Sequence, residues 1–184
     1  MPAVFRPLSA PDPEHGTPAQ RSPALAHDHS RCVNSALASA ERLCLAAGAR
    51  LTPLRKRVLE LVWASHKPLG AYELLDQLAQ EGHKPAPPTI YRALDFLLQH
   101  QLVHRITSLN AFLGCTHPEH AHGGYFLICQ HCNTAQELDA VAGITSAIDA
   151  ATAAANFTVT HGALELMGTC QACQHSAELS HDKN

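Results

Sequence analysis

Two Cys-x-x-Cys pairs, Cys129/Cys132 and Cys170/Cys173, are separated by 37 residues. Zinc prefers four soft donors in a tetrahedron, and each Cys-x-x-Cys turn offers two thiolates to one ion. The separation exceeds that of an ordinary zinc ribbon. It becomes workable if a strand, a helix and a returning strand carry the second turn back to the first. A thioredoxin-like redox centre is the alternative, but that chemistry uses one such pair in a βαβ setting, and here there are two. The expected site is therefore a closed, structural four-cysteine zinc centre at Cys129, Cys132, Cys170 and Cys173.

The other cysteines fit that chemistry. There are seven in all, at 32, 44, 115, 129, 132, 170 and 173. The first ten residues lack a charged start and apolar run of secretory type, so a reducing cytoplasm is the expected compartment. An odd cysteine count there speaks against a disulfide framework. No apolar run approaches the roughly 18 residues that a membrane span needs. The net charge of −3 hides an asymmetry: residues 50–106 hold eight Lys or Arg against five Asp or Glu, whereas residues 107–184 hold one lysine against seven acids. The middle of the chain can face a polyanion; its end cannot.

Residues 1–29 are rich in Pro, Ala, Ser and His without hydrophobic period and read as a disordered arm. Cys32 to Ala47 reads as a first helix stopped by Gly48. Thr52 and Pro53 suit the N-cap and first position of a second helix, whose Leu54, Val58, Leu61 and Val62 form one apolar stripe. A third helix is expected from Ala71, with Leu74, Leu75 and Leu78 inward. A fourth, Pro88 to Leu98, buries Ile90, Leu94, Leu97 and Leu98 and turns Thr89, Tyr91, Arg92 and Asp95 outward. Two β-like segments follow, Leu102–Thr107 and Ala111–Gly114. This is the outline of a winged helix-turn-helix.

Past Cys115 comes a polar, histidine-rich stretch, then expected strands at Tyr125–Cys129 and Ala135–Leu138, a helix over Val141–Ala155 and a strand from Phe157 to Met167. The expected organisation is α+β: a winged-helix domain over 30–108, a hinge over 109–116, an α/β domain over 117–174 and a disordered tail over 175–184.

Two further constellations carry chemistry. His104, Cys115, His122 and Glu137 could ligate a second metal, although His117, His120 and His161 are equally suitable by type. A buried inert thiol beside a solvated histidine loop is the bland alternative. The outward face of the fourth helix can meet DNA, since Tyr donates to phosphate and Arg clamps phosphate or reads guanine. An ordinary amphipathic surface helix would look the same.

Leu51-Thr52-Pro53-x-Arg55, Ala71-Tyr72-Glu73-Leu74-Leu75, Thr89 to Leu97 and the paired Cys-x-x-Cys with a glycine ahead of the second pair resemble the ferric uptake regulator family, in order and at family-like spacing over about residues 40–173. The runs Pro88 to Leu98 and Leu102-Val103-His104-Arg105 resemble its zinc-uptake branch. The resemblance implies a winged-helix DNA-binding domain, an α/β dimerisation domain and a structural zinc at the four paired cysteines. It also implies a regulatory zinc at His104, Cys115, His122 and Glu137, giving two zinc ions per subunit, with DNA contacts from Thr89, Tyr91, Arg92 and Arg55. One departure stands out. Many members carry a His-x-His or His-His run directly before the first zinc cysteine, where this chain has Gly124 and Phe126. That argues against a third site built on such a run and leaves His120 and His161 as surface residues.

The function implied is a homodimeric repressor that binds operator DNA when its regulatory zinc is in place and shuts off zinc-uptake genes. It has no small-molecule substrate and no membrane partner. An iron, nickel or peroxide sensor of the same family is the nearest alternative, and the Cys115 thiolate tilts the donor set from iron to zinc. A zinc hydrolase would need an open coordination position. A zinc module docking a protein partner would show no salt-dependent binding to duplex DNA.

Overall fold

The computed structural model describes residues 29–65, 67–83, 85–119, 124–138, 142–160 and 162–175. The expected arm over 1–29, apart from its last residue, and the expected tail beyond 175 lie outside them.

The first half opens with α1 (His29–Ala46), three residues earlier than its sequence pattern suggested, and α2 (Pro53–Trp63). Gly48 ends α1 in the left-handed region at φ +64°, the conformation that glycine adopts without steric cost. Thr52 occupies the α2 N-cap with extended φ/ψ, but its hydroxyl caps nothing; Pro53 at the first helical position sets the entry instead. A two-residue strand absent from the sequence expectations, β1 (Leu69–Gly70), leads into α3 (Ala71–Gln80). There the Gly70 N–H donates to the Glu73 carboxylate at 2.6 Å. The next helix, α4, spans Pro87–Gln99.

These helices pack as their stripes require. Val58, Leu59 and Val62 of α2, Leu74 and Leu78 of α3, and Ile90, Leu94 and Leu97 of α4 are buried together with Ala40 and Cys44 of α1. Full burial of each larger side chain stabilises by about 1.5–3 kcal/mol. The wing follows as β2 (Val103–Ile106) and β3 (Ala111–Gly114), antiparallel, with β1 on the other edge of β3. The residues read as a hinge, 109–116, thus include a paired strand. Gly114 allows close approach to α2, because a Cβ there would sit 2.4 Å from the Trp63 indole.

The second half comprises β4 (Gly124–Cys129), β5 (Ala135–Glu137), α5 (Ala142–Ala154) and β6 (Ala163–Gly168). Its sheet runs β5-β4-β6, with β5 antiparallel and β6 parallel to β4. A parallel pair needs a crossover, and α5 provides it. The strand expected from Phe157 begins only at Ala163. Asn156 takes φ +50°, and the Phe157 N–H returns to the Thr152 carbonyl at 2.9 Å. This closes the end of α5 in a Schellman-type cap and spends the first expected strand residues on the helix terminus. At the other end, residues 171–175 are helical.

Ile106 and Leu113 of the wing share one buried cluster with Phe126, Ile128 and Ala135 of the second sheet. The fold therefore presses the wing onto the sheet that carries the first Cys-x-x-Cys turn.

Candidate functional site

The parallel pairing of β4 and β6 sets Cys129 opposite Gly168, two residues before Cys170. The returning strand thus performs the convergence that the cysteine spacing demanded. After Cys132, Asn133 turns at φ +58°, and the Cys129 N–H donates to the Thr134 carbonyl at 2.9 Å. The Sγ atoms of Cys132 and Cys170 lie 3.7 Å apart. Ligands on tetrahedral 2.3 Å zinc–sulfur bonds would be about 3.8 Å apart. All four sulfurs fall within 4.8 Å of one another, and all are free thiols.

The electrostatics suit a cation. The Cys170 and Cys132 backbone N–H groups hold the Cys129 thiol down to about 5, with the first at 3.4 Å from its sulfur. Hydrogen bonding to the Cys170 sulfur, with burial and the neighbouring thiols, pushes Cys173 up to about 12. Four thiolates repel one another; a soft dication would relieve the repulsion.

The second cluster joins the two halves. His104 lies on β2 opposite Leu113, Cys115 follows β3 with its N–H on the Leu102 carbonyl at 3.1 Å, and Glu137 ends β5 opposite Phe126. One ligand atom from each of the three lies within 4.8 Å of the others. His104 Nε2 is 2.7 Å from Glu137 Oε1, and the Glu137 side chain is only 3% exposed. Burial would raise the Glu137 carboxyl, but the His104 imidazole beside it and the hydrogen bonds from Thr116 outweigh it and hold it at about 2. Burial, together with the Glu137 charge, pushes the Cys115 thiol up to about 12. Imidazole, thiolate and carboxylate form a donor set that suits zinc; Cys115 would surrender its proton on ligation.

Of the expected ligands, the structure gathers His104, Cys115 and Glu137. His122 lies outside the described residues, as do His120 and His161. His117 is exposed beside the Thr116 hydroxyl, 3.1 Å away, and is not one of the clustered ligands. The Gly124 and Phe126 departure also finds its physical reason. Phe126 is buried and meets the His104 ring edge-on at a centroid distance of 5.2 Å, and a Cβ on Gly124 would lie 2.5 Å from the Phe126 ring. At these positions the chain packs an aromatic wall against the His104 ring.

Sequence reasoning missed Thr116. Its N–H and hydroxyl donate to Glu137 Oε2 at 3.0 and 2.8 Å, leaving Oε1 aimed at His104. The only signal was a hydroxyl residue next to Cys115. Such partners of a ligand typically change metal affinity by about 10–100-fold when removed. Thr116→Val is therefore expected to weaken zinc binding at the second cluster by about tenfold or more in chelator competition, with Thr116→Ser close to wild type. Equal affinity for the Val variant would remove Thr116 from the site.

On α4, Thr89, Tyr91 and Arg92 are exposed while Ile90, Ala93 and Leu94 are buried, so the three side chains share the outward face. Arg55 stands apart. Its guanidinium lies 3.6 Å from the Phe96 ring centroid and donates to the Arg50 carbonyl at 2.6 Å. The neighbouring Arg57 is occupied by Glu60 and Glu81.

The model of the ferric uptake regulator family matches residues 46–167. The chain belongs to the ferric uptake regulator family. This family member is 34% identical over 153 residues to the zinc uptake regulation protein of Escherichia coli (strain K12), covering 79% of this chain and 89% of that one. Its structure resembles that of a zinc uptake regulator complexed with zinc and DNA, at a TM-score of 0.75 and 33% identity over 79% of this chain and 97% of the other. The crystal structure of holo XcZur matches at a TM-score of 0.70 and 42% identity over 77% of this chain and 99% of the other.

Proposed function

We propose that this ferric uptake regulator family member is a zinc-responsive transcriptional repressor, acting in the cytoplasm as a homodimer on operator DNA and switching off zinc-uptake genes. The observation that carries the reading is the thiol of Cys115 joined with His104 and Glu137 across the wing and the second sheet. A thiolate in the sensing site favours zinc over iron. The solved relative complexed with zinc and DNA supports the same assignment.

In this reading residues 30–108 bind DNA and 117–174 dimerise, with two zinc ions per subunit. Cys129, Cys132, Cys170 and Cys173 hold one permanently. His104, Cys115 and Glu137, completed by His122, hold the regulatory one. Zinc there supplies a rigid link between wing and sheet. His104 and Cys115 then fix the wing, the wing fixes α4, and Thr89, Tyr91 and Arg92 meet phosphates and base edges. Arg55, on α2 with its guanidinium over Phe96 of α4, is the fourth DNA contact in this reading. Four filled positions leave no place for a substrate water, so the protein regulates and does not catalyse.

Dimerisation is supported by apolar surface that a monomer would leave wet. Leu127 and Leu166, register partners on β4 and β6, are 42% and 46% exposed, with Met167, Phe157 and Val159 also exposed. The Ala-rich α5 is exposed along most of its length. An apolar helix of that kind calls for a cover. Pairing two copies across this face would set the spacing of two α4 helices, which operator half-sites require.

The test is operator binding on a zinc-transporter promoter, with zinc buffered by a strong chelator and iron, nickel and manganese run in parallel. Zinc is expected to act at the lowest free concentration. Activation by iron or nickel alone, or release by peroxide, would assign the protein to another branch of the family. Arg92→Ala is expected to weaken operator binding with zinc content unchanged, by about 1–3 kcal/mol if it reads a guanine. Unchanged affinity would remove Arg92 from the interface.

A further inference from the structure

The second sheet grips the wing twice. Glu137 reaches the base of the wing, where the metal ligands gather. Glu165, on β6, sits across β4 from it, since both are register partners of Phe126. The Glu165 carboxylate reaches the wing turn between β2 and β3. Its Oε1 accepts the Thr107 N–H at 2.6 Å and its Oε2 the Ser108 N–H at 2.9 Å. Burial would raise this carboxyl, yet donors on Ser108 and Thr107 hold it below its ordinary value. Between the two carboxylates lies the apolar contact of Ile106 and Leu113 with Phe126. Two successive backbone N–H groups form a concavity suited to an anion, and a charge-assisted pair of this kind is stronger and more directional than a neutral one.

We propose that Glu165 is a positioning residue of the zinc switch: a metal-independent clasp that holds the wing turn on the second sheet and so lowers the free zinc needed for operator binding. The inference rests on the proposed zinc-responsive function. The clasp ties the wing tip and the zinc ligands tie the wing base, so both favour one placement of wing on sheet. A site that needs that placement binds its ion more tightly when the placement is already held. The overall likeness to the zinc- and DNA-bound relative, at a TM-score of 0.75, supports reading the clasped wing as the DNA-competent state. A wing-turn concavity filled by a carboxylate could instead be a phosphate site kept shut, which makes the opposite prediction.

Glu165→Gln keeps the volume and one acceptor but loses the charge and the second acceptor; Glu165→Asp keeps the charge on a shorter reach. For Glu165→Gln, the free zinc giving half-maximal operator binding is expected to rise about fivefold, the lower end of ordinary coupling between sites. Chelator competition without DNA should show the same fall in regulatory-site affinity, Glu165→Asp should recover part of it, and one tightly held zinc and the oligomer should persist. A destabilised fold would instead lose the four-cysteine zinc along with the rest. Unchanged zinc response would overturn the proposal, and so would tighter DNA binding by the Gln variant, the mark of a shut phosphate site. Wild-type protein indifferent to zinc would contradict the proposed function, an outcome the same titration reads separately.

Discussion

Cys132→Ser is expected to cost the protein its four-cysteine zinc and with it the second half of the fold. The site is made of two turns that touch only because β6 returns parallel to β4, and the 3.7 Å approach of the Cys132 and Cys170 sulfurs is repulsive once both are thiolates. Without the ion, the second turn has little to hold it. Most of β6 is exposed on its side chains, α5 is exposed over most of its surface, and the apolar contact of this half runs through Phe126, Ile128 and Ala135 to the wing. Structural zinc sites contribute about 10–16 kcal/mol in apparent binding free energy, comparable with the whole stability of an ordinary domain at about 5–15 kcal/mol. Serine supplies no thiolate, so the loss is large. Metal analysis should show the tightly held zinc gone, sizing chromatography the dimer lost, and thermal denaturation the cooperative transition weakened. A variant that keeps its zinc and its oligomer would show that the cluster is not structural.

Cys115→Ser should separate sensing from folding. The residue is buried, and its neighbours Gly114 and Thr116 are fixed by Trp63 and Glu137. Serine is smaller by little and fits the same space. What it lacks is the soft thiolate, and a hydroxyl does not ionise at neutral pH to replace it. The variant is expected to remain a folded dimer with its four-cysteine zinc and to lose the zinc-dependent gain in operator affinity, of the order of 5–150-fold for coupled sites. Isothermal or chelator titration should count one zinc per subunit where wild type counts two. Normal zinc-dependent binding by Cys115→Ser would end the assignment of this cluster as the sensor.

The gathering of the four paired cysteines was legible in the sequence because spacing carries chemistry. Cys-x-x-Cys twice over points to one closed site, and helix stripes such as Ile90, Leu94 and Leu97 face where their period places them. The three-residue cluster was less legible. His104, Cys115 and Glu137 lie on β2, after β3 and on β5, and only the docking of wing on sheet brings them together; residue type alone left His117 as good a candidate as His104. Thr116 and Glu165 were invisible for the same reason. Their roles come from hydrogen bonds to a carboxylate and to backbone N–H groups that the chain encounters only after folding. The strand expected from Phe157 failed because local apolar pattern cannot tell a strand start from a helix cap that turns at Asn156. Arg55 was read from a motif as a DNA contact; its place over Phe96, set by the packing of α2 on α4, was not legible in that motif.

The central claim is that metal held between the wing and the second sheet decides whether the protein grips its operator. The direct test compares one preparation in two states: the four-cysteine zinc in place in both, the His104/Cys115/Glu137 site emptied by a chelator in one and refilled in the other. Operator affinity measured at the same salt concentration is predicted to be stronger in the refilled state by about one to two orders of magnitude. Equal affinity in the two states would contradict the account.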